Sequence, residues 1–336
     1  MEIGYDEPLK AYNTFGFEAH HKGIIRVTDE GMINEVIEQK LSPIKILGGG
    51  SNILINNDID AYILKNEIKG IHIVSEDDTD IVVKVGAGEY WHSLVMWSLS
   101  HGLAGLENLS LIPGSVGAAP MQNIGAYGVE QDLAFDSLEA IHLLTGTKKI
   151  FMKDECHFGY RDSIFKNELK DQYFITHVSY QLKKKNYTLH IEYGAIREVL
   201  QSKKIDSPTI HDVSEAVIEI RKSKLPDPKY IGNAGSFFKN PVISASKYKL
   251  LKGQFSDMPS YPIDDDHVKV PAGWLIEKAG WKGHIQGHVG VHHLQSLVLV
   301  HFGHGTGAEI KDLALQIQSK VKDIFGIDIV PEVNFW

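Results

Sequence analysis

Residues 102–128 read GLAGLENLSLIPGSVGAAPMQNIGAYG, six glycines in 27 residues of irregular chain. Compact domains rarely carry so long a passage without a functional reason. Asparagine, serine and glutamine line it, and its tyrosine, methionine and prolines can cover a flat ring. From Lys84 to Lys148 the intervening 63 residues contain no lysine or arginine. A diphosphate bound here is therefore held by backbone amides and small polar side chains rather than by salt bridges. Each such dipole contributes on the order of 0.3–1 kcal/mol when exposed and up to about 2 when partly buried, so several must converge.

A second glycine-rich turn, LGGGSNIL at 47–54, also follows a strand signal. Backbone N–H groups in such turns form anion sites. It is not a Rossmann fingerprint, because apolar residues follow GGGSN and no acidic residue stands at the required later position; nor is it a Walker A loop, which needs GK[ST]. A tight turn needing positive φ explains GGGSN equally well.

Outward from these loops the periodicity alternates between two and 3.6. GIIRV (23–27), PIKIL (43–47), AYILK (61–65), GIHIV (70–74) and DIVVKVGAGE (80–89) read as strands. DEGMINEVIEQKLS (29–42) and YWHSLVMWSLSHGL (90–103) read as helices, so the chain opens in a βαβ-like way. LEAIHLL (138–144) and YFITHVSYQL (173–182) are strands, and Thr145-Gly146-Thr147 predicts a hairpin. The stretch 207–230 is a capped helix stopped by two prolines, read as the entry to another domain. Beyond it AGWLIEKAG (272–280) is a helix, SLVLVHFG (296–303) a strand, 307–326 a helix and 328–336 a closing strand.

The 336 residues, 43% hydrophobic and 23% charged, can bury sizeable cores. A net charge of −9 and a pI near 6.0 give no overall attraction to nucleic acid, and no nucleic-acid partner is expected. One cysteine, Cys156, excludes an internal disulfide framework and a CxxC pair; it reads as a buried space-filler in a reducing compartment. No basic n-region precedes an apolar stretch at the N-terminus, and no run approaches the roughly 20 apolar residues of a spanning helix. A cytoplasmic protein without membrane attachment is expected.

Histidines 284, 288, 292 and 293 in GHIQGHVGVHH tempt a metal reading. Gly283, Gly287 and Gly290 argue against a helix presenting them together and there is no HExxH, so no metal is expected. GNAGSFFKNP (232–241) holds Ser236 with neither a GxSxG context nor an evident histidine. Arg161 lies among aromatics in FGYRDSIF, and Glu332 lies on the apolar closing strand; charges in such company are either paired or working. Arg221, Lys222, Lys224 and Lys229, then Lys239 and Lys269, suit a second anionic ligand, although a solvated helix face explains RKSK as well.

Together NTFG (13–16), LGGGSNIL, VGAGEYWHSLV (85–95), GLENLSLIPGSVGAAPMQNIGAYG (105–128), FGYRDSIF, KLPDPK (224–229), GNAGSFFKNP, AGWLIEKAGWKG (272–283) and PEV make the chain resemble the bacterial UDP-N-acetylenolpyruvoylglucosamine reductase (MurB) family over nearly its whole length. The resemblance is to the longer, type I form, whose substrate-contacting tyrosine is matched by Tyr193. It implies an α+β fold: an FAD-binding domain of the vanillyl-alcohol-oxidase type in two α/β subdomains, plus a C-terminal mixed α/β substrate-binding domain. The expected bounds are 1–70 completed by 316–336, then 71–205, then 206–315. Non-covalent FAD is implied at Gly48, Gly49, Gly50, Ser51 and Asn52, and at Pro113, Gly114, Ser115, Gly117, Asn123, Ile124 and Gly125. Arg161, Ser236 and Glu332 match catalytic positions; Tyr193, Lys224, Asn240, Tyr261, Lys269 and Gln295 match those that hold the UDP-sugar.

The implied reaction is reduction of enolpyruvyl-UDP-N-acetylglucosamine to UDP-N-acetylmuramate in peptidoglycan precursor synthesis, with NADPH as reductant, in a monomer. The chemistry explains the lone serine, because an enolate is basic enough to take a proton from an unactivated hydroxyl. Arg161 stabilises the enolate, and Glu332 does so only as a neutral acid. After PEV the family often continues with an arginine; here Asn334 follows, which leaves the fixing of the last strand open. Two alternatives stand beside this reading. One is an FAD-dependent oxidase or dehydrogenase acting on another small substrate; the other is a nucleotide-sugar binding protein without flavin.

Overall fold

The computed structural model describes all 336 residues, in two compact units. The first comprises 1–7, 20–50 and 59–223; the second comprises 8–19, 51–58 and 224–336.

In the first unit, His21–Val27, Ile59–Asn66 and Ile44–Leu47 form a parallel three-stranded sheet in that order, with the helix Gly31–Glu38 in the crossover. Ile25, Val27, Ile33, Val36 and Leu64 are fully buried between sheet and helix, and Ile24 is buried as well, as the apolar run in GIIRV requires of a parallel strand covered on both faces. A five-stranded antiparallel sheet runs in the order Lys148–Met152, Phe135–His142, Tyr173–Lys183, Asp80–Gly86, Ile71–Glu76. The hairpin at 145–147 is present, with Ile141 opposite Lys148. The helix Trp91–Ser100 buries Trp91, Leu94, Val95 and Leu99 against this sheet, and the Trp91 indole N–H donates to the Leu109 carbonyl at 2.9 Å. Burying each such side chain contributes about 1.5–3 kcal/mol.

The helix Ile210–Lys224 packs within the first unit through Ser223 rather than opening the next. Its Ala216, Val217 and Ile220 share a core with Ile196 and Leu200 of the helix Gly194–Ser202. The break falls where Pro226 and Pro228 forbid continuation of the helix.

In the second unit, Gly232–Ser236, Val298–His301, Val289–Val291 and Ile285–Gln286 form an antiparallel sheet. Val242–Ser244, His267–Lys269 and Tyr261–Pro262 form another. The helix Gly307–Phe325 starts in a capping box between Thr306 and Glu309 and ends at Gly326, whose φ is +61°. Residues 316–336, expected to complete the N-terminal subdomain, lie in this unit beside 51–58. Asn334–Phe335 pairs in parallel with Ile53–Leu54, and Asn334 donates to the Asn52 carbonyl from its backbone (3.0 Å) and its side chain (3.1 Å). The asparagine that departs from the family pattern thus fixes the last strand itself. No helix is long and apolar enough to cross a membrane.

Candidate active site

Two groups of the expected cofactor residues meet in the first unit. A Cβ on Gly49 would lie 2.5 Å from the Gly114 Cα, and one on Gly48 the same distance from the Ser115 hydroxyl, so the two glycine loops pack backbone against backbone. Gly117 is equally tight, with a Cβ there falling 2.5 Å from the Ala87 methyl. The Val116 and Gly117 amides are spent on the Glu89 and Ala87 carbonyls, at 2.8 Å each. The Ser115 hydroxyl is buried without a hydrogen-bond partner. A cavity of about 120 Å³ lies here, lined by Gly48, Asn66, Ser115, Gly117, Met121 and Ile175 among others. A buried hydroxyl with no partner within the protein, in loops with no room for a Cβ, suits the FAD the sequence implies.

The sequence reading found no cation for this site, because none occurs between 84 and 148. The strand Ile59–Asn66 supplies one from elsewhere: the half-buried Lys65 ammonium donates to the Gly48 carbonyl at 2.6 Å. Burial lowers its pKa, with Lys69 adding to the effect. A hydrogen bond to a charged group contributes a net ~1.5–3 kcal/mol, about tenfold or more in affinity if it sets the loop's conformation. Lys65→Met is expected to weaken FAD binding to the apoprotein about tenfold, read by flavin fluorescence titration; unchanged affinity would show the lysine to be incidental.

The second group gathers around Arg161. Its guanidinium donates to the Gly125 carbonyl and pairs with Glu130 at 3.6 Å. Glu130 also accepts from the Asn123 amide at 3.0 Å, and Asn123 in turn accepts from the Asp132 amide. Arg161 and Asn123 both adopt positive φ, +54° and +44°, as residues at functional sites often do. Glu130 was missed by the sequence reading; its signal was an acidic residue in the two-residue strand Val129–Glu130 directly after the long loop. Ile124 bonds through its backbone to Ala119 and Gln131, and its side chain packs against the core beneath the sheet. Cys156 is fully buried, and burial pushes its thiol up to about 12, so it is the inert filler expected.

Ser236 and Glu332 both lie in the second unit. Along Gly232–Ser236 the pairing with Val298–His301 slips between Asn233 and Ser236, a bulge made possible by Gly235 at φ +69°. Buried Asn233 braces it, accepting from the Gly235 amide at 2.9 Å and donating to the Ile231 carbonyl at 2.8 Å. Phe237 and Phe238 then enter the core edge to face, 5.1 Å apart, while Ser236 stays exposed. Immediately after the serine the chain acquires a new neighbour: the Glu332 amide donates to the Phe237 carbonyl at 2.8 Å, and the Lys239 amide donates to the Val330 carbonyl at 2.9 Å. The Asn52 side chain donates to the Glu332 carbonyl at 3.4 Å, which ties the end of the GGGSN turn to the same place.

The expected substrate residues are less concentrated. Tyr261 stands directly opposite Lys269 on adjacent strands. The Asn240 side-chain oxygen accepts from the Ala272 amide at 2.9 Å, so it caps the helix Ala272–Lys278 whatever else it does. The Gln295 side-chain oxygen would lie 3.3 Å from a Cβ on Gly273. Lys224 is exposed at the end of its helix. In the first unit Tyr193 stacks edge to face on Tyr127, with centroids 5.3 Å apart. The four histidines lie on and around the hairpin Ile285–Val291, whose turn at Gly287 (φ +60°) separates them.

A profile described as the C-terminal domain of UDP-N-acetylenolpyruvoylglucosamine reductase matches residues 227–336, and an FAD binding domain profile matches 22–151. UDP-N-acetylenolpyruvoylglucosamine reductase of Flavobacterium johnsoniae is 49% identical over 335 residues, covering 99% of both chains. The enzyme of that name from Pseudomonas aeruginosa is 47% identical over 339 residues, covering 100% of this chain and 99% of its own. Among solved structures, UDP-N-acetylenolpyruvylglucosamine reductase (MurB) from Thermus caldophilus superposes with a TM-score of 0.68 at 23% identity, covering 100% of this chain and 99% of that one, which is a likeness of fold.

Proposed function

Because the chain belongs to the UDP-N-acetylenolpyruvoylglucosamine reductase family, we propose that Ser236 is its proton donor and that Arg161 and Glu332 stabilise the charge its reaction creates. The protein is an FAD enzyme that reduces the enolpyruvyl group of UDP-N-acetyl-3-O-enolpyruvylglucosamine to UDP-N-acetylmuramate, with NADPH as reductant. Bound FAD would supply the hydride chemistry for the terminal carbon of the double bond. Gly48, Gly49, Gly114, Ser115, Gly117, Asn123 and Gly125 would hold the cofactor, with Gly50, Ser51, Asn52, Pro113 and Ile124 completing its loops.

Hydride arrival leaves negative charge on the adjacent carbon and its carboxylate. Ser236 gives that carbon its proton, and an exposed hydroxyl on a rigid bulge needs position more than a lowered pKa. The Arg161 guanidinium, already oriented by Glu130 and the Gly125 carbonyl, offers a permanent positive charge to the carboxylate. Glu332 acts as a neutral acid donating a hydrogen bond. Tyr193, Lys224, Asn240, Tyr261, Lys269 and Gln295 hold the UDP-sugar. The first unit is thus chiefly the cofactor part and the second the substrate part. A monomer in the cytoplasm completes the reading, the latter supported by the free buried Cys156.

The observation that supports these roles is the backbone bond from Glu332 to Phe237, which brings the segment that carries the carboxyl beside the residue that follows the exposed serine. The test is NADPH consumption with and without the enolpyruvyl nucleotide. Rapid turnover is expected only with both; equal consumption in its absence, with oxygen as acceptor, would point to an oxidase.

A further inference from the structure

NTFG (13–16) folds around one buried amide. The Asn13 side chain donates to the Leu9 and Phe17 carbonyls at 2.8 Å each and accepts from the Phe17 amide at 3.1 Å. The Gly16 amide closes the turn on the Asn13 carbonyl at 3.0 Å, with φ +72°. The two carbonyls between them bond to other segments of the second unit. That of Thr14 accepts from the Asn233 amide at 3.2 Å, and that of Phe15 accepts from Nε2 of His301, a buried residue ending the strand Val298–His301. Nδ1 of the same ring accepts from the Gly303 amide at 3.2 Å, so the two bonds together require the neutral imidazole with its proton on Nε2. The ring also lies 4.6 Å from the Phe17 ring, centroid to centroid, and Phe17 stacks on Phe15 at 5.3 Å.

The strand Gly232–Ser236 is caught in this junction. Gly232 stands opposite His301 in the sheet, and a Cβ on it would overlap both the His301 Nε2 and the Phe15 oxygen, so only glycine lets the three segments close. Asn233 is the last residue in register before the bulge. It pairs with Val300, and the next pair is Ser236 with Val298, three steps on one strand against two on the other. The turn thus grips the chain at the two residues from which the bulge springs.

We propose that His301 is a positioning residue for Ser236: its N–H on the Phe15 carbonyl pins the 13–16 turn against Gly232 and Asn233, and so fixes the point from which the bulge carries the serine hydroxyl. This rests on the reading of Ser236 as the proton donor. A hydroxyl that is not activated works by its place alone, and a displacement of about 1 Å can cost on the order of 10²-fold in rate. The latch acts on proton delivery to the substrate and has no part in the reduction of the flavin, so its loss falls on one half of the reaction.

The test combines amide hydrogen exchange over residues 232–238 with rapid-mixing kinetics of the flavin-loaded enzyme, for His301→Leu, His301→Gln, Ser236→Ala and the double variant Ser236→Ala/His301→Leu. In His301→Leu the exchange is expected to quicken about five- to tenfold, as loss of one buried hydrogen bond allows. Flavin reduction by NADPH is expected to stay within about twofold, while reoxidation by the enolpyruvyl nucleotide slows about ten- to thirtyfold. His301→Gln, which keeps an N–H within reach of the Phe15 carbonyl, is expected to restore both measures to within about threefold. The double variant is expected to reoxidise no more slowly than Ser236→Ala, because without the hydroxyl there is nothing left to position. Unchanged exchange or unchanged reoxidation in His301→Leu, equal slowing of both half-reactions, or losses that multiply in the double variant would each overturn the latch and leave the role of Ser236 standing. Normal reoxidation in Ser236→Ala would remove the proton donor and the latch with it. Should His301→Leu fail to fold, His301→Phe, which keeps a ring against Phe17 and loses the N–H, decides by the same two measures.

Discussion

Ser236→Ala is expected to lower steady-state turnover about 10²- to 10⁴-fold, the range that positioned proton transfer contributes. The loss should fall on one half of the reaction. Bleaching of the flavin band by NADPH should keep its rate within about twofold, because no proton from Ser236 is needed there, while its return on adding the enolpyruvyl nucleotide should collapse. Rapid mixing with each substrate in turn separates the two. The structure makes the substitution a clean probe, since the hydroxyl is exposed and Phe237 and Phe238 anchor the strand independently of it. A normal second phase in Ser236→Ala would remove the serine from the chemistry.

Gly49→Ala is expected to strip the protein of flavin and to destabilise it by about 1–3 kcal/mol, as overpacking at a site that cannot relax does. The added methyl would sit 2.5 Å from the Gly114 Cα and 2.9 Å from its carbonyl carbon, both backbone atoms. Moving either loop disturbs the other, so cofactor and stability are lost together. The same change at Gly253, exposed near the end of the helix Ala245–Gln254, meets nothing within 4 Å and is expected to stabilise by roughly 0.5–1 kcal/mol. The ratio of flavin to protein absorbance and the thermal midpoint of both variants check the pair. A Gly49→Ala protein that keeps its flavin and its midpoint would mean that the loops do not need this contact.

Much of the local structure was legible before any coordinates. The hairpin at 145–147 was, because a two-strand turn is decided by the residues within it. So was the helix 307–325, whose capping box and terminal glycine lie in its own sequence. The helix at 210–224 was recognised but its allegiance was not: the same apolar face could pack on the strands before it or on those after it. Only the contact with Ile196 and Leu200 assigns it to the first unit.

The candidate site divides along the same line. Residue types carry chemistry in any context, so the glycine loops, the exposed serine, the arginine among aromatics and the closing glutamate could all be named from their neighbours in sequence. Their partners could not. Lys65 reaches Gly48 from 17 residues away, and Arg221 reaches Leu111 from 110. A long polar side chain on the surface of a helix or strand looks the same in sequence whether it ends in water or on a carbonyl. What the amino-acid order determined here is which groups are able to react and where the backbone must turn. Which charges are neutralised and which loops lean on one another were decided by tertiary packing, because those depend on distances between segments that no local pattern encodes.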